Sequence, residues 1–408
     1  MTMPRVVITG VGIMSPLAHH YEGLLEGLRA GRSGIRLMPS WAEPSLGLRT
    51  RVGAPVTEFV EHQIDRKLRR NMSRIAMLAM CASEQAIADS RLPPEALHSE
   101  RTGVSYGSSF GGTSTIEELF ASAQRSGVLS QGIGSSTFLK MMPHTCAANI
   151  AISFQIPGRI LASCVACASG TQAVGYGYES IKLGVVDQVI CGGAEELTPS
   201  VAAIFDVLGA TSIGTPDNTP RPFDATRDGI AVGEGAGSFV LERMDLALAR
   251  GARIYGEICG FYTNNDASHM TNPSVEGLAQ CMRGALKAAH LDASAIDYIN
   301  AHAAGTIAGD RAESLAIEKV FGSQTPVSSM KGHLGHLMGA AGAIETAACL
   351  GMLADQRLYP TLNFQSAGLD EGHIAHVTPG GAAIPLRTLI KNSFAFGGVN
   401  ASLIIQKM

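Results

Sequence analysis

Short runs rich in Val and Ile alternate with longer stretches whose apolar residues recur every three to four positions, almost from end to end of the chain. The short runs, at 6–9, 103–106, 188–191, 236–241, 298–301 and 401–406, are close to continuously apolar, which predicts strands buried on both faces. The longer stretches, at 73–90, 115–123, 171–183, 277–289, 310–320 and 340–354, have helical spacing. Such alternation predicts an α/β fold. The basic stretch Leu246–Arg253 closes one series of elements, and the run Ile254–Gly260 opens another. A boundary near Gly251 therefore divides the chain into 1–250 and 251–408. Each part carries its own strands and helices, as a pseudo-duplicated fold would, although no sequence repeat is strong enough to prove one.

Composition narrows the class. A hydrophobic fraction of 46% with 16% charged residues predicts extensive burial and little disorder. The 47 glycines suit closely packed strand–helix layers. A net charge of −4 gives no global case for nucleic-acid binding. The chain has no run of 18 apolar residues, so no membrane span is expected. The start, Met1-Thr-Met-Pro-Arg5-Val-Val-Ile, imitates a signal peptide, but Gly10, Gly12 and Pro16 interrupt it and it reads better as a first buried strand. Eight cysteines without regular spacing fit a reducing compartment, which makes the cytoplasm the expected location.

Candidate chemistry centres on Cys167, where the apolar run from Leu161 stops ahead of Ala168-Ser-Gly170 and the helical stretch that follows. A thiol at a helix N-terminus faces unpaired N–H groups and the positive end of the dipole, which favour thiolate, the form that attacks thioesters. Cys164 makes a C-x-x-C with it, but no second pair completes a zinc ribbon and no Trp or Pro accompanies it as in a redox loop. Gly107-Ser-Ser109-Phe-Gly111 matches the serine-hydrolase elbow, with His373 or His376 as the partner it would need. Gly10-Val-Gly12 resembles a dinucleotide fingerprint without its third glycine and reads as a tight turn. Three later clusters belong together: Asn300-Ala-His302, Lys331-Gly-His333-Leu-Gly335-His336, and the loop Asn392-Ser-Phe394-Ala-Phe396-Gly-Gly398. His333 and His336 could suggest a metal, but lack the Glu and third ligand of common zinc motifs.

In this order, with Arg221-Pro-Phe-Asp224, Gly233-Glu-Gly-Ala-Gly237 and Asp266-Ala-Ser-His269-Met-Thr271 between them, these segments resemble the elongating β-ketoacyl-ACP synthases nearly end to end. The resemblance implies a thiolase-like fold, two α/β halves in five layers αβαβα, and a homodimer. It also implies Cys167 as the acyl-accepting nucleophile and His302 and His336 as the pair acting on the malonyl thioester, with Lys331 beside them and Glu345 as its partner. Phe394 and Phe396 would gate the site, with the backbone N–H groups of Phe396 and Cys167 forming the oxyanion hole. Thr271 and Thr306 would line the pantetheine channel, and no cofactor or metal is implied. The implied reaction is decarboxylative condensation of malonyl-ACP with an acyl chain, in fatty-acid elongation or in a specialised polyketide or polyene pathway. The implied partner is acyl carrier protein. Arg66, Lys67, Arg69 and Arg70 form a local basic patch suited to docking that acidic carrier, and no aromatic platform accompanies them as nucleic-acid binding would require.

Three positions depart from the family pattern. Ala303 and Ala304 follow the first histidine where Gly and a hydroxyl residue are usual, so one contact to the pantetheine arm is expected to be missing. Ala395 replaces a usual Gly between the two phenylalanines and restricts φ in that loop. Phe110 stands where a smaller residue commonly lines the acyl pocket, which predicts a shortened pocket.

Overall fold

The computed structural model describes residues 3–59, 64–368 and 370–408. A first series of strands comprises β1 (Val6–Met14), β2 (Thr102–Gly107), β3 (Ile160–Ser163), β4 (Gln188–Glu195) and β5 (Gly235–Arg243). A second comprises β6 (Gly256–Asn265), β7 (Tyr298–Asn300), β8 (Pro326–Ser328), β9 (Ala375–His376), β10 (Thr388–Phe394) and β11 (Val399–Gln406). Their spatial order is β3-β2-β4-β5-β1-β6-β11-β10-β7-β8-β9. In the first series β3, β2 and β4 are parallel, and β5 and then β1 turn antiparallel. The second repeats this sense with β8, β7 and β10 parallel and β11 and β6 antiparallel, while β9 extends its edge. The repeat that sequence comparison within the chain leaves unproven is thus present as topology. The two series meet where Val6–Ile8 pairs with Gly256–Ile258.

Helices α1 (Arg74–Ser90), α2 (Thr113–Ser126) and α3 (Thr145–Ser153) belong to the first series, and α5 (Val275–Ala289) and α6 (Ile307–Phe321) to the second. Helix α1 covers β1 and β5, and α3 packs beside it; α5 covers β6 and β11, with α6 alongside. Two further helices, α4 (Ser169–Lys182) and α7 (Ala341–Asp355), fill the space between the sheets and touch each other. The result is five layers, αβαβα. Every residue of α7 from Ala341 to Leu353 is buried, as expected for a helix that is apolar all round. The largest apolar cluster draws on both series, from Val6 and Phe239 to Leu389 and Leu403, so the halves share a core.

Two glycines let the central helices approach. A Cβ on Gly170 would lie 2.5 Å from the carbonyl oxygen of Gly339, and one on Gly342 would lie 2.6 Å from the backbone nitrogen of Thr171. Neither neighbour can withdraw, because both are backbone. This contact places the start of α4, which follows Cys167, beside the start of α7, which follows His336.

Candidate active site

The chain leaves β3 at Ser163, turns through Ala166 at φ 49°, and enters α4 by a short 3-10 turn, Ala166–Ala168. Ser169 braces the turn: its hydroxyl donates to the Ala166 carbonyl at 2.6 Å and accepts from the Val165 N–H at 2.9 Å. A positive φ at an alanine is sterically costly, and here it aims the next side chain, Cys167, at the centre of the molecule. Cys167 is 6% exposed, and its Sγ lies 3.0 Å from His336 Nε2. Burial pushes the thiol up to about 12, against the opposing pull of Lys331. Burial therefore works against the thiolate that a helix N-terminus favours.

His302 follows β7, and two carboxylates of α6 shape its loop. Glu313 accepts from the N–H of His302 at 2.8 Å and of Ala303 at 2.6 Å. Asp310 accepts from Ala304 at 3.0 Å, Gly305 at 3.1 Å, Thr306 at 3.2 Å and, from another segment, Phe223 at 2.8 Å. Burial pushes Asp310 up to about 6 and Glu313 up to about 7, with the converging N–H groups resisting. His336 stands behind Gly335 at φ 74°, its N–H on the Ala231 carbonyl at 2.7 Å. The two imidazoles meet edge to face with centroids 5.3 Å apart. One ligand-capable atom from each of Cys167, His302 and His336 lies within 4.8 Å of the others. Burial first, and the Lys331 charge second, hold both histidines well below their ordinary range, so both are neutral.

Beneath this trio, Lys331 donates to the His302 carbonyl at 3.0 Å and pairs with Glu345. The other oxygen of Glu345 faces a second buried ammonium, Lys391, at 3.0 Å. Lys391 is absent from the sequence reading: a lysine inside a strand run carries no signal of its own. Asp310 and Glu313 were likewise not singled out as supports for the His302 loop; their spacing from His302 is the clue.

The competing motifs part from the site. His333 turns away from His336, its ring nitrogens 3.0 and 2.9 Å from the carbonyls of Arg32 and Pro360, so the two histidines do not form a metal pair. The Ser109 hydroxyl is buried without a polar partner, while its N–H donates to Glu195 at 2.9 Å. His373 faces Glu318 at 3.5 Å, and His376 lies between Phe223 and Phe364, so neither serves Ser109. Cys164 points to the Ser109 carbonyl, not to Cys167. The Gly10-Val-Gly12 segment lies within β1, where Cβ atoms would meet the carbonyls of Ala86 and Ala82; these glycines serve strand–helix contact and the expected turn is absent.

A cavity of about 320 Å³ opens onto Cys167, His302 and His336, and Thr271, Thr306, Ala304, Phe394 and Phe396 line it. Phe394 is buried, its ring set at 64° to that of His302 with centroids 6.4 Å apart. Phe396 is 37% exposed and stacks on Phe205 at 6.1 Å. Gly397 and Gly398 follow at φ 85° and 70°, and the Gly397 N–H binds the Met270 carbonyl at 2.8 Å. Phe110 packs against the apolar group formed by Cys167, Val201, Phe205, Ile230 and Met338. In the basic patch Arg66, Lys67 and Arg70 are exposed and Arg69 is half-buried, on a short helix capped by Asp65. Arg74 instead turns inward to Glu234 and the Val56 carbonyl.

Comparison with known proteins converges on this arrangement. The β-ketoacyl synthase N-terminal domain matches residues 3–247, and the β-ketoacyl synthase C-terminal domain matches residues 255–365. The chain is 38% identical to 3-oxoacyl-[acyl-carrier-protein] synthase 1 of Haemophilus influenzae, over 99% of each chain. It is 37% identical to the Escherichia coli protein of the same name, over 100% of each. Among solved structures, a β-ketoacyl synthase from Burkholderia phymatum superposes with a TM-score of 0.95 at 42% identity, covering all of both chains. The ishigamide ketosynthase/chain length factor superposes with a TM-score of 0.93 at 33% identity, again over both whole chains. The chain belongs to the β-ketoacyl synthase family, and its fold is thiolase-like. It is an acyltransferase of the 3-oxoacyl-[acyl-carrier-protein] synthase class. No helix among the described residues is long and apolar enough to cross a membrane.

Proposed function

We propose that Cys167 carries the growing acyl chain and that His302 and His336 drive decarboxylation of a malonyl thioester, in fatty-acid elongation. The observation that carries this reading is the convergence of one thiol and two neutral imidazoles within 4.8 Å, at the end of a cavity with an apolar side. In the first half-reaction the Cys167 sulfur attacks an acyl thioester. Its proton ends on the departing pantetheine thiolate, and His336 Nε2, 3.0 Å from Sγ, is placed to donate its N–H to the sulfur as negative charge develops there. In the second, the malonyl carboxylate leaves as CO2 and its electron pair becomes an enolate. Two neutral imidazoles each present an N–H to the enolate oxygen, a preorganised arrangement that needs no rearrangement as charge develops. The carbanion then forms the new C–C bond with the acyl carbonyl. The backbone N–H groups of Cys167 and Phe396 receive that oxyanion, and Cys167 leaves as thiolate and takes up a proton.

Acyl carrier protein is the proposed donor, docking on Arg66, Lys67, Arg69 and Arg70; one solved relative is described as a ketosynthase with its acyl-carrier protein. A homodimer is supported by apolar residues left exposed on edge strand β3, on α3, on α2 and on the segment between α2 and α3: Ile160, Ile152, Phe120 and Phe138 are 46%, 70%, 62% and 68% exposed. The cytoplasm is the proposed location. A polyketide role is the second reading, supported by the likeness to the ishigamide protein and, at 35% identity, to the actinorhodin polyketide putative β-ketoacyl synthase 1 of Streptomyces coelicolor.

Mass spectrometry after incubation with acyl-ACP tests the assignment. An acyl adduct on Cys167, lost in Cys167→Ala and kept in Ser109→Ala, supports it; an adduct on Ser109 overturns it. The same assay with saturated and polyunsaturated primers separates the two pathways.

A further inference from the structure

Lys391 lies in β10, fully buried, with its ammonium directed into the centre of the molecule. It is 3.0 Å from Glu345 Oε2, donates to the Asn392 carbonyl at 2.8 Å and to Thr171 Oγ1 at 3.3 Å, and bonds the Ser393 hydroxyl. These partners come from three elements: α7 with Glu345, α4 with Thr171, and β10 itself. One of the three, α4, is the helix that begins beside Cys167. Glu345 therefore holds a lysine on each oxygen, Lys391 on one and Lys331 on the other, and Lys331 in turn holds the His302 carbonyl at 3.0 Å. With both lysines protonated, one carboxylate between two ammonium groups leaves one positive charge uncompensated; burial lowers the Lys391 pKa and the Glu345 charge opposes that.

We propose that Lys391 is a positioning residue for decarboxylation: it clamps the far oxygen of Glu345 and supplies the surplus positive charge that keeps the His302 and His336 imidazoles neutral N–H donors. An imidazolium beside an ammonium is disfavoured by like-charge repulsion, which adds to the desolvation cost. Both lysines depress both histidines, with burial the larger cause. Other groups face the same space: Cys167 from the nucleophile turn, Glu195 from β4, Asp310 and Glu313 from α6, Cys349 from α7 and Tyr298 from β7. Glu313 opposes the effect whenever it is ionised. It is itself pushed up to about 7 by burial, so below neutral pH the lysines act with little opposition. The inference rests on the reading of the histidines as the donor pair.

The test is the pH profile of CO2 release from malonyl-ACP in Lys391→Met and Lys391→Arg. Lys391→Met should move the acid limb upward by about one pH unit, the size expected for removing a nearby unit charge at an effective dielectric near 20. Well below the limb, the rate relative to that at pH 8 should then fall by up to about tenfold, while Cys167 acylation at pH 8 stays within about threefold of wild type. Lys391→Arg should restore the limb. A uniform loss with an unmoved limb would mean a purely structural role and overturn the proposal. If Lys391→Met fails to fold, the 15N shifts of His302 and His336 are compared between wild type and Lys391→Gln: both rings should take up a proton about one pH unit higher in the variant, and coincident titrations contradict the proposal. This titration reads the charge effect independently of turnover, so its failure is distinct from a failure of the donor-pair assignment, which His302→Ala turnover reports.

Discussion

The Lys331 ammonium donates to the main-chain carbonyl of His302 at 3.0 Å, so it orients the catalytic loop through backbone while placing its charge behind the ring. Lys331→Met removes both effects. Decarboxylation should fall by about 10² or more, the scale on which loss of one preorganised electrostatic contact is felt. The Cys167 thiol should also become less acidic, because Lys331 is the charge that opposes its burial. Alkylation by iodoacetamide reads this directly. In wild type the rate should rise about tenfold per pH unit from pH 7 to 10 without a plateau, as a thiol pushed up to about 12 requires. In Lys331→Met it should be slower at every pH. A plateau near pH 8 in wild type would contradict the buried-thiol description.

The two α6 carboxylates make a separate prediction about stability. Glu313→Ala leaves two buried N–H groups, those of His302 and Ala303, without an acceptor. The expected cost is about 2–6 kcal/mol, from about 1–3 kcal/mol per orphaned group. The sign of the pH effect follows from the upward shift. Folded Glu313 retains a proton to about pH 7, whereas the unfolded carboxyl releases it near the ordinary value of about 4.3. Its contribution is therefore fully present below about pH 4.3 and is lost as pH rises toward 7. Urea unfolding should show wild type losing stability relative to Glu313→Gln across that window. A difference independent of pH would mean that Glu313 is ionised throughout.

Much of this was legible in the sequence, for identifiable reasons. Continuous apolar runs located β1, β2, β4, β5, β6, β7 and β11, and helical spacing located α1, α2, α4, α5, α6 and α7. The strand β10 escaped because Lys391, Asn392 and Ser393 are polar yet buried, their groups satisfied by one another and by residues far along the chain. Helix α3 escaped because Thr145–Ser153 is apolar without a clear period. Cys167, His302 and His336 could be named from motif order. Their contact could not, since it depends on Gly170 and Gly342 letting two helices touch. The opposition of burial to a thiolate was not legible, because a sequence reveals a helix N-terminus but not the depth at which it is buried.

Phe110 is expected to limit primer length, since it packs in the same apolar group as Cys167. Phe110→Gly should extend the range of accepted acyl chains while leaving short ones unchanged. Each methylene newly accommodated is worth about 0.8 kcal/mol, so the gain should grow by about fourfold per carbon until the pocket is filled. Acylation rates across a saturated primer series check this. Equal rates for long and short primers in the wild type would place the end of the pocket elsewhere.

The division of labour between one thiol and two imidazoles is tested most directly in His302→Ala, whose lost ring does not touch the Cys167 sulfur by hydrogen bond. Acyl transfer to Cys167 and CO2 release from malonyl-ACP should be measured on the same preparation, the first by mass spectrometry and the second by trapping CO2. The acyl adduct should form within about tenfold of the wild-type rate, while CO2 release falls by about 10²–10³, as for loss of one oxyanion donor. Equal losses in both steps, or CO2 release at the wild-type rate, would contradict the assignment.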